Sequence, residues 1–316
     1  MRKPQVSQVG DRVSQVVDRV EIVEVSPRDG LQNERRALST PEKLELIARA
    51  RKTGVRRVEV TSFVRPDRVP QLADAAEVVA GLAGIDIVAS ALALNMRGYD
   101  RAVGAGIGEI NTVVLATDTF SQRNQGMSTA DAIAMAGAMC ERARGAGVRL
   151  TITIGASFGC PFEGEVSDER FAEVLGRVAD LGADEIALAD TIGVAVPSDI
   201  ERRFALVHER APATPTRVHL HDTRNTGIAN AVAAVRTGVK ALDASLGGIG
   251  GCPFAPNATG NIATEDLVYL LDRMGIASGV ALGSAIEHAR WVTDRLGIPP
   301  SGRLVKAGGF PRPVTP

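Results

Sequence analysis

The chain has 316 residues, of which 45% are hydrophobic, and its 36 basic and 37 acidic residues leave a formal net charge of -1. This length is typical of one large α/β barrel domain, and the nearly neutral charge excludes a general attraction to nucleic acid or to an anionic membrane. We therefore expect a small-molecule substrate, with no nucleic-acid partner and no membrane partner.

The first 20 residues contain no long apolar run, and Asp11 and Asp18 interrupt them. These features argue against a secretory signal and a transit peptide, so the sequence predicts a cytoplasmic protein with an N-terminal extension over residues 1–20. Cys140, Cys160 and Cys252 form no CxxC pair. A disulfide framework and a structural zinc site are therefore not indicated.

Helical patterns alternate with short β-rich runs from Glu21 onwards. The first run is EIVEVSPRD, and six later runs each begin within about five residues of a glycine that ends a helical pattern, at Gly54, Gly84, Gly106, Gly147, Gly182 and Gly238. The run TRVHLHD, from Thr216 to Asp222, brings the number of predicted strands to eight. Eight strands alternating with helices predict a closed parallel (β/α)8 TIM barrel as the catalytic domain, over residues 21–298.

Local signals support the helices between these strands. Thr40 and Pro41 are predicted to be the N-cap and first residue of one helix, and Ser167 is predicted to cap another. An open doubly wound sheet is the alternative architecture, but no GxGxxG or Walker motif begins a helix. Residues 299–316 are rich in Pro, Gly and basic residues, which predicts a loosely ordered C-terminal tail.

Polar residues stand at the ends of several predicted strands, where barrel enzymes carry their catalytic groups. They are Arg28 and Asp29 after the first strand, Glu59 in the second, Asp190 ending the sixth, and His219 and His221 ending the seventh. We expect these residues to lie around one mouth of the barrel.

The run His219-Leu220-His221 is the most informative of these features. Alternation along a strand directs both imidazoles to the same face, towards the barrel interior. Two imidazoles and a carboxylate from another strand end, supplied by Asp29 or Asp222, would bind a divalent cation. The alternative is that both histidines only satisfy hydrogen bonds in the core.

Charged residues near these histidines have structural alternatives as well. Arg28 and Asp29 could form an ion pair at the barrel rim. Glu59 lies in the run VRRVEVTSF, where a buried charge needs a cation such as Arg28, either for catalysis or only for structure.

A glycine-rich segment, SLGGIGGCPFAPNATGNIATEDL, follows the last predicted strand and contains Cys252 and Asn261. Glycines let a backbone move and approach a ligand closely. Cys252 is thus either a reactive thiol or an inert packed one, and its place on the catalytic face favours the first. Cys160 is interpreted as structural or as lining the rim.

With these motifs together, the chain resembles the 3-hydroxy-3-methylglutaryl-CoA (HMG-CoA) lyase family of the DRE-TIM metallolyases. The resemblance runs from about Glu21 to Ile276. It comprises SPRDGLQNE, VEVTSFV, FGCPFEG, LADTIGVAVPSDI, HLHDT and GGIGGCPFAPNATGNIATEDLVY, of which the last is the most specific.

The resemblance implies a set of functional residues. The metal ligands fall on Asp29, His219, His221 and Asn261, and Mg²⁺ or Mn²⁺ suits these donors. The catalytic cysteine falls on Cys252 and the catalytic arginine on Arg28, with Glu59, Asp190 and Glu265 as acidic supporting residues. Arg28 and Glu265 are also expected to bind the substrate.

The family's reaction is retro-Claisen cleavage of HMG-CoA to acetyl-CoA and acetoacetate, in leucine degradation and ketone body formation. In this hypothesis His219 or Asp29 relays the hydroxyl proton, Arg28 stabilises the enolate oxygen, and Cys252 protonates the acetyl carbon. The expected partner is an acyl-CoA thioester, and we expect a homodimer or a higher homo-oligomer.

Two segments depart from the common family pattern, Arg224-Asn225-Thr226 and Arg65-Pro66-Asp67-Arg68. They leave open a related 3-hydroxy-3-alkylglutaryl-CoA or another 3-hydroxyacyl-CoA as substrate. A metal-dependent 2-oxo acid aldolase or synthase is a further alternative, although the GGCPF loop argues against it. A catalytically silent barrel and a non-haem iron oxygenase are weaker alternatives.

Overall fold

A closed sheet of eight parallel strands forms the centre of the computed structural model, which describes residues 17–251 and 260–311. The strands are β1 (Glu21–Glu24), β2 (Arg57–Ser62), β3 (Val88–Leu92), β4 (Glu109–Leu115), β5 (Arg149–Gly155), β6 (Glu185–Asp190), β7 (Thr216–Leu220) and β8 (Ala241–Ala244). Each strand pairs with the next along the chain, and β8 pairs with β1. This closure confirms the predicted (β/α)8 barrel.

Helices follow the strands and cover the outside of the sheet. Their bounds are α1 (Thr40–Lys52), α2 (Ala75–Ala80), α3 (Met96–Gly104), α4 (Asp118–Gln125), α5 (Thr129–Ala146), α6 (Asp168–Ala179), α7 (Pro197–Arg210), α8 (Gly227–Arg236), α9 (Thr264–Arg273), α10 (Leu282–Leu296) and α11 (Leu304–Ala307). A short antiparallel hairpin joins Gly159–Cys160 to Gly164–Glu165 after β5. Within the two described ranges, no helix combines the length and apolar character that crossing a membrane requires.

The helix starts follow local capping chemistry. Ser167 accepts a hydrogen bond from the Arg170 N–H and caps α6, as predicted. At α1 the cap is Ser39, one residue before the predicted Thr40, and the Glu42 carboxylate accepts from both the backbone N–H and the hydroxyl of Ser39.

The first strand is shorter than predicted. It ends at Glu24, and Ser26–Gly30 forms one π-helical turn in which the Gly30 N–H donates to the Val25 carbonyl. Pro27 fits the start of this turn because its missing N–H is not needed there. Arg28 and Asp29 therefore lie on a turn above the carboxyl end of β1, not in the strand.

The barrel interior is charged at the amino end of the strands. Arg57 of β2 donates to Glu185 of β6 and to Glu109 of β4, and all three side chains are buried. Arg217 of β7 extends this network, with its Nε atom 3.7 Å from Glu185 Oε2. The ion network occupies the amino end, so the lumen is left for a site at the carboxyl end.

The described part of the predicted C-terminal tail, residues 299–311, contains α11 and contacts the catalytic face. Ser301 donates its hydroxyl to the Gly247 and Gly248 carbonyls, and the Asp266 carboxylate accepts from the Arg303 and Leu304 N–H groups. These bonds link the segment to the turn after β8 and to the first turn of α9.

Candidate active site

Two histidines at the end of β7 face a carboxylate on the turn after β1. His219 Nε2 lies 3.8 Å from Asp29 Oδ2, and His221 Nε2 lies 3.9 Å from the same oxygen. The three side chains are buried, and one donor atom of each lies within 4.8 Å of the others. The predicted convergence of Asp29, His219 and His221 is therefore present in the fold.

The other ring nitrogen of each histidine is hydrogen-bonded to an oxygen. His219 Nδ1 lies 3.0 Å from Asp243 Oδ2, and His221 Nδ1 lies 3.0 Å from the backbone carbonyl of Asp190. Both oxygens are acceptors, so a neutral ring at either position carries its proton on Nδ1 and presents a lone pair on Nε2. That is the tautomer a metal ligand requires.

Asn261, which directly follows the last glycine of the glycine-rich segment, completes the group. Its Nδ2 atom donates to Asp29 Oδ2 at 2.9 Å and to the Ile249 carbonyl at 3.1 Å. Among the described residues, its buried Oδ1 atom and the Nε2 atom of His221 have no hydrogen-bond partner. Unpartnered buried acceptors are rare, and a cation between them would satisfy both.

The donor set fits a hard or borderline divalent cation. One carboxylate oxygen, one amide oxygen and two imidazole nitrogens form a mixed group of the kind that binds Mg²⁺ or Mn²⁺. Asp222, the alternative carboxylate, is bonded elsewhere, because its Oδ1 atom accepts from the Gly227 N–H. Asp29 is the carboxylate that the fold brings to the histidines.

Arg28 lies beside this set, between two carboxylates. It donates to Glu59 Oε2 at 2.8 Å and to Asp29 Oδ1, so the ion pair expected between Arg28 and Glu59 is present. Burial disfavours the charge of Arg28, but the two carboxylates outweigh it and raise its pKa. Burial likewise opposes ionisation of Asp29, but Arg28 together with His221 and His219 outweighs it, so the pKa of Asp29 lies well below its usual value.

Asp190 does not direct its carboxylate at the donor set. Glu185 points into the lumen, so strand alternation directs Ala187 and Ala189 inwards and Asp190 to the other face. The Asp190 carboxylate accepts the Val194 and Ala195 N–H groups, and burial raises its pKa. Its contact with the candidate site is through its backbone carbonyl, which orients His221.

Glu265 lies in the first turn of α9 and supports the turn after β8. Its Oε2 atom accepts from the Gly247 N–H, and burial raises its pKa to about 8. The neighbouring Glu24 accepts from the Leu246 N–H and from the Thr264 hydroxyl. Both acids thus contact the base of the glycine-rich segment.

Cys252 lies outside the described residues, but the chain that leads to it is described. Asn33 donates its side-chain N–H to the Gly251 carbonyl at 2.5 Å. Gly250 has a φ of +103°, and a Cβ atom there would lie 2.8 Å from Asn261 Nδ2. Only glycine fits at this position, which explains one glycine of the predicted loop.

Three residues of the site were not singled out from the sequence. Asn33 stands inside the SPRDGLQNE motif, and Asp243 is the one acidic residue within β8. Asn111 of β4 donates to Glu59 Oε1 at 3.1 Å and accepts from the Thr153 hydroxyl. A polar residue on the inward face of a barrel strand is the signal that could have identified Asp243 and Asn111.

A cleft of about 420 Å³ opens beside Asn261. Arg224 and Asn225, from a segment that departs from the family pattern, line this cleft together with Arg303. Arg65, from the other departing segment, forms an exposed ion pair with Asp67. Arg224 and Asn225 therefore lie in the same cleft as Asn261, one of the candidate cation ligands.

Comparison with known proteins gives consistent relatives. The model of the HMGL-like family matches residues 19–292. The chain is 41% identical to an (R)-citramalyl-CoA lyase of Chloroflexus aurantiacus, over 92% of this chain and 96% of that protein. It is 38% identical to the human mitochondrial hydroxymethylglutaryl-CoA lyase, over 92% of this chain and 89% of that protein.

A solved structure shows the same fold with ligands. The structure of an HMG-CoA lyase from Acinetobacter baumannii, in complex with coenzyme A and 3-methylmalate, superimposes with a TM-score of 0.88 at 37% identity. The match covers 96% of this chain and all of that one.

Proposed function

The chain belongs to the HMGL-like family, and from this membership we propose that it catalyses divalent-cation-dependent retro-Claisen cleavage of HMG-CoA to acetyl-CoA and acetoacetate. The observation that carries the proposal is the convergence of Asp29, His219, His221 and Asn261, with Arg28 beside them. The family's relatives include lyases of two CoA thioesters, so the acyl group is the part that needs testing.

The reaction needs three things from the site. The tertiary hydroxyl must lose its proton, the thioester enolate must be stabilised, and a proton must reach the carbon that becomes the acetyl methyl group. Asp29, His219, His221 and Asn261 would hold the cation, and Mg²⁺ or Mn²⁺ there supplies Lewis acidity towards substrate oxygens.

The chain's own residues account for the remaining steps. Arg28, fixed by Glu59, is the donor for the enolate oxygen. Asp29 takes the hydroxyl proton, because both ring nitrogens of His219 would be occupied, Nδ1 by its proton and Nε2 by the cation. Cys252 delivers a proton to the acetyl carbon, from a segment that Asn33 and Gly250 attach to the site.

A citramalyl-CoA-type thioester is the second candidate substrate. The 41% identity to a citramalyl-CoA lyase favours it, as does the departure at Arg224 and Asn225, which line the cleft beside Asn261. In such a substrate the carboxylate is on the carbinol carbon, so cleavage leaves a 2-oxo acid in place of acetoacetate. With HMG-CoA as substrate, the reaction would belong to leucine degradation and ketone body formation.

The test measures both products. Purified protein is incubated with HMG-CoA or with citramalyl-CoA, with EDTA or with added Mg²⁺ or Mn²⁺, and acetyl-CoA and the released acid are quantified. We expect cation-dependent release of acetyl-CoA that His219→Ala abolishes. Acetoacetate identifies the first substrate and pyruvate the second. Absence of cleavage of both thioesters by folded, Mn²⁺-loaded protein would refute the proposed reaction.

A further inference from the structure

Asp243 lies in the barrel interior on β8 and contacts the candidate metal centre through one histidine. Its side chain is buried, and each of its two carboxylate oxygens faces a different side chain. Oδ2 lies 3.0 Å from His219 Nδ1, and Oδ1 lies 3.3 Å from Arg217 Nε. Nothing in the proposed reaction uses this carboxylate directly.

The contact restricts the state of the His219 ring. An ionised carboxylate can only accept hydrogen bonds, so the proton of a neutral His219 must be on Nδ1. The opposite nitrogen, Nε2, is then unprotonated, and it is the atom that faces Asp29 Oδ2. Without an acceptor at Nδ1, a neutral imidazole would be free to carry its proton on Nε2, which would block ligation.

Arg217 compensates the negative charge of the Asp243 carboxylate in the interior. A buried carboxylate is costly without a nearby positive charge, and Arg217 lies between Asp243 and Glu185 of the interior ion network. Through Arg217 and Asp243, the ion network at the amino end is thereby connected to the candidate metal centre. His221 differs, because a backbone carbonyl sets its tautomer and no side chain can be altered to change it.

We propose that Asp243 is a positioning residue: it holds His219 in the Nδ1–H tautomer and directs Nε2 towards the cation position. The inference rests on the proposed function for the identity of the ligand set. The tautomer itself is a property of the metal-free protein, so it can be measured independently of catalysis.

The experiment uses full-length protein labelled with ¹⁵N-histidine. The chain has four histidines, so long-range ¹H–¹⁵N spectra of the metal-free protein can be assigned, with His219→Ala identifying the signal of interest. Wild type is compared with Asp243→Ala and Asp243→Asn. Glu109→Gln is the matched control, because Glu109 is a buried carboxylate of the same ion network that accepts from Arg57. Mn²⁺ affinity is measured on the same samples.

We expect the Nδ1–H signature in wild type and in Glu109→Gln. In Asp243→Ala it should give way to the Nε2–H form, with Mn²⁺ affinity reduced about 10–100-fold. Asp243→Asn keeps the shape and a weaker acceptor, so its affinity should fall about 10-fold. If Asp243→Ala does not fold, Asp243→Asn decides the question.

An unchanged His219 tautomer in Asp243→Ala, or Mn²⁺ affinities of both Asp243 variants within about twofold of Glu109→Gln, would overturn the proposal. Failure of the proposed function gives a different pattern. If wild type binds no Mn²⁺ or cleaves neither thioester, the tautomer shift in the metal-free Asp243 variants still tests the role of Asp243.

Discussion

Arg28 keeps its charge at the barrel mouth because Glu59 and Asp29 contact its guanidinium from two sides. Glu59 is in turn held by the Asn111 amide, so the orientation of Arg28 is set by side chains from β2 and β4. A guanidinium oriented in this way is suited to stabilise a developing enolate oxygen without rearrangement.

Glu59→Gln should therefore reduce turnover about 10²–10³-fold, the usual effect of weakening one such donor. Mn²⁺ affinity should stay close to that of wild type, because Glu59 is not in the donor set. Steady-state kinetics and Mn²⁺ titration measure the two effects. Glu173→Gln, at the exposed partner of Arg170, is the control. Equal losses in turnover and in Mn²⁺ affinity would show that Glu59 acts on the cation site instead.

Cys252→Ser tests the proposed acid. A serine hydroxyl is a much weaker acid than a thiol, so turnover should fall about 10²–10⁴-fold while Mn²⁺ stays bound. Cys140→Ala, at the buried cysteine of α5, is the control and should keep its turnover. Near-normal turnover of Cys252→Ser, measured by acetyl-CoA release, would remove Cys252 from the mechanism.

The raised pKa of Glu265 predicts that the stability of the fold depends on pH. Burial raises its pKa to about 8 in the fold, against an ordinary value of 4.5, so the folded protein binds the proton more tightly than the unfolded chain. The contribution of this group to stability is complete below pH 4.5 and is lost as the pH rises from 4.5 to 8.

Glu265→Gln should remove this loss of stability at high pH, because the glutamine amide stays neutral. Urea unfolding between pH 5 and pH 9 should show the variant gaining stability relative to wild type up to about pH 8 and holding a constant difference above it. Glu287→Gln, at an exposed acid of α10, should follow wild type. A constant difference over the whole range would mean that Glu265 is ionised in the fold.

Among the larger elements, the turn after β1 and the segment after β8 are packed against each other. A Cβ atom at Gly30 would lie 2.7 Å from an Ile249 side-chain carbon, and one at Gly250 would lie 2.9 Å from the Gly30 Cα. Asp29 and Asn261 are brought together across this contact. The geometry of the donor set thus depends on two backbone segments that must approach closely.

Gly250→Ala should disturb both the contact between these two backbone segments and the geometry of the donor set. The positive φ alone costs an alanine about 1–3 kcal/mol, and its Cβ would displace the Asn261 amide. We expect lower unfolding stability together with weaker Mn²⁺ binding. Gly104→Ala in α3, where no heavy atom lies within 4 Å of the added carbon, should leave Mn²⁺ binding unchanged. Wild-type affinity in Gly250→Ala would mean that this contact does not shape the site.

For the molecule as a whole, the barrel separates an ion network at the amino end from a candidate metal centre at the carboxyl end. A cation bound only by the folded state stabilises it by mass action, by about 2.7 kcal/mol at 100 times the dissociation constant. For a chain of this size that corresponds to a rise in Tm of roughly 4 °C.

Mn²⁺ should therefore raise the Tm of wild type in a thermal melt, and His221→Ala should lose most of the shift. His208→Ala removes a histidine of α7 that lies outside the donor set, and its shift should equal that of wild type. Equal shifts in all three proteins would place the cation elsewhere.

Much of this protein could be predicted from local patterns in the sequence. Glycine junctions and apolar runs predicted eight strands and a barrel, because helix ends and buried strands have composition requirements that hold within a few residues. The barrel rule then indicated one catalytic face, and strand alternation directed His219 and His221 to the same side. The family resemblance added Asn261 to the set.

Tertiary structure decided the contacts between residues distant in sequence. It brought Asp29 to the two histidines, and it brought Asp243 and Arg217 behind His219. These outcomes depend on strand register and on side-chain packing across the lumen, which join residues 24 or more positions apart. Periodicity within one strand sets the face on which a side chain lies, and only the closed barrel sets which partner meets it.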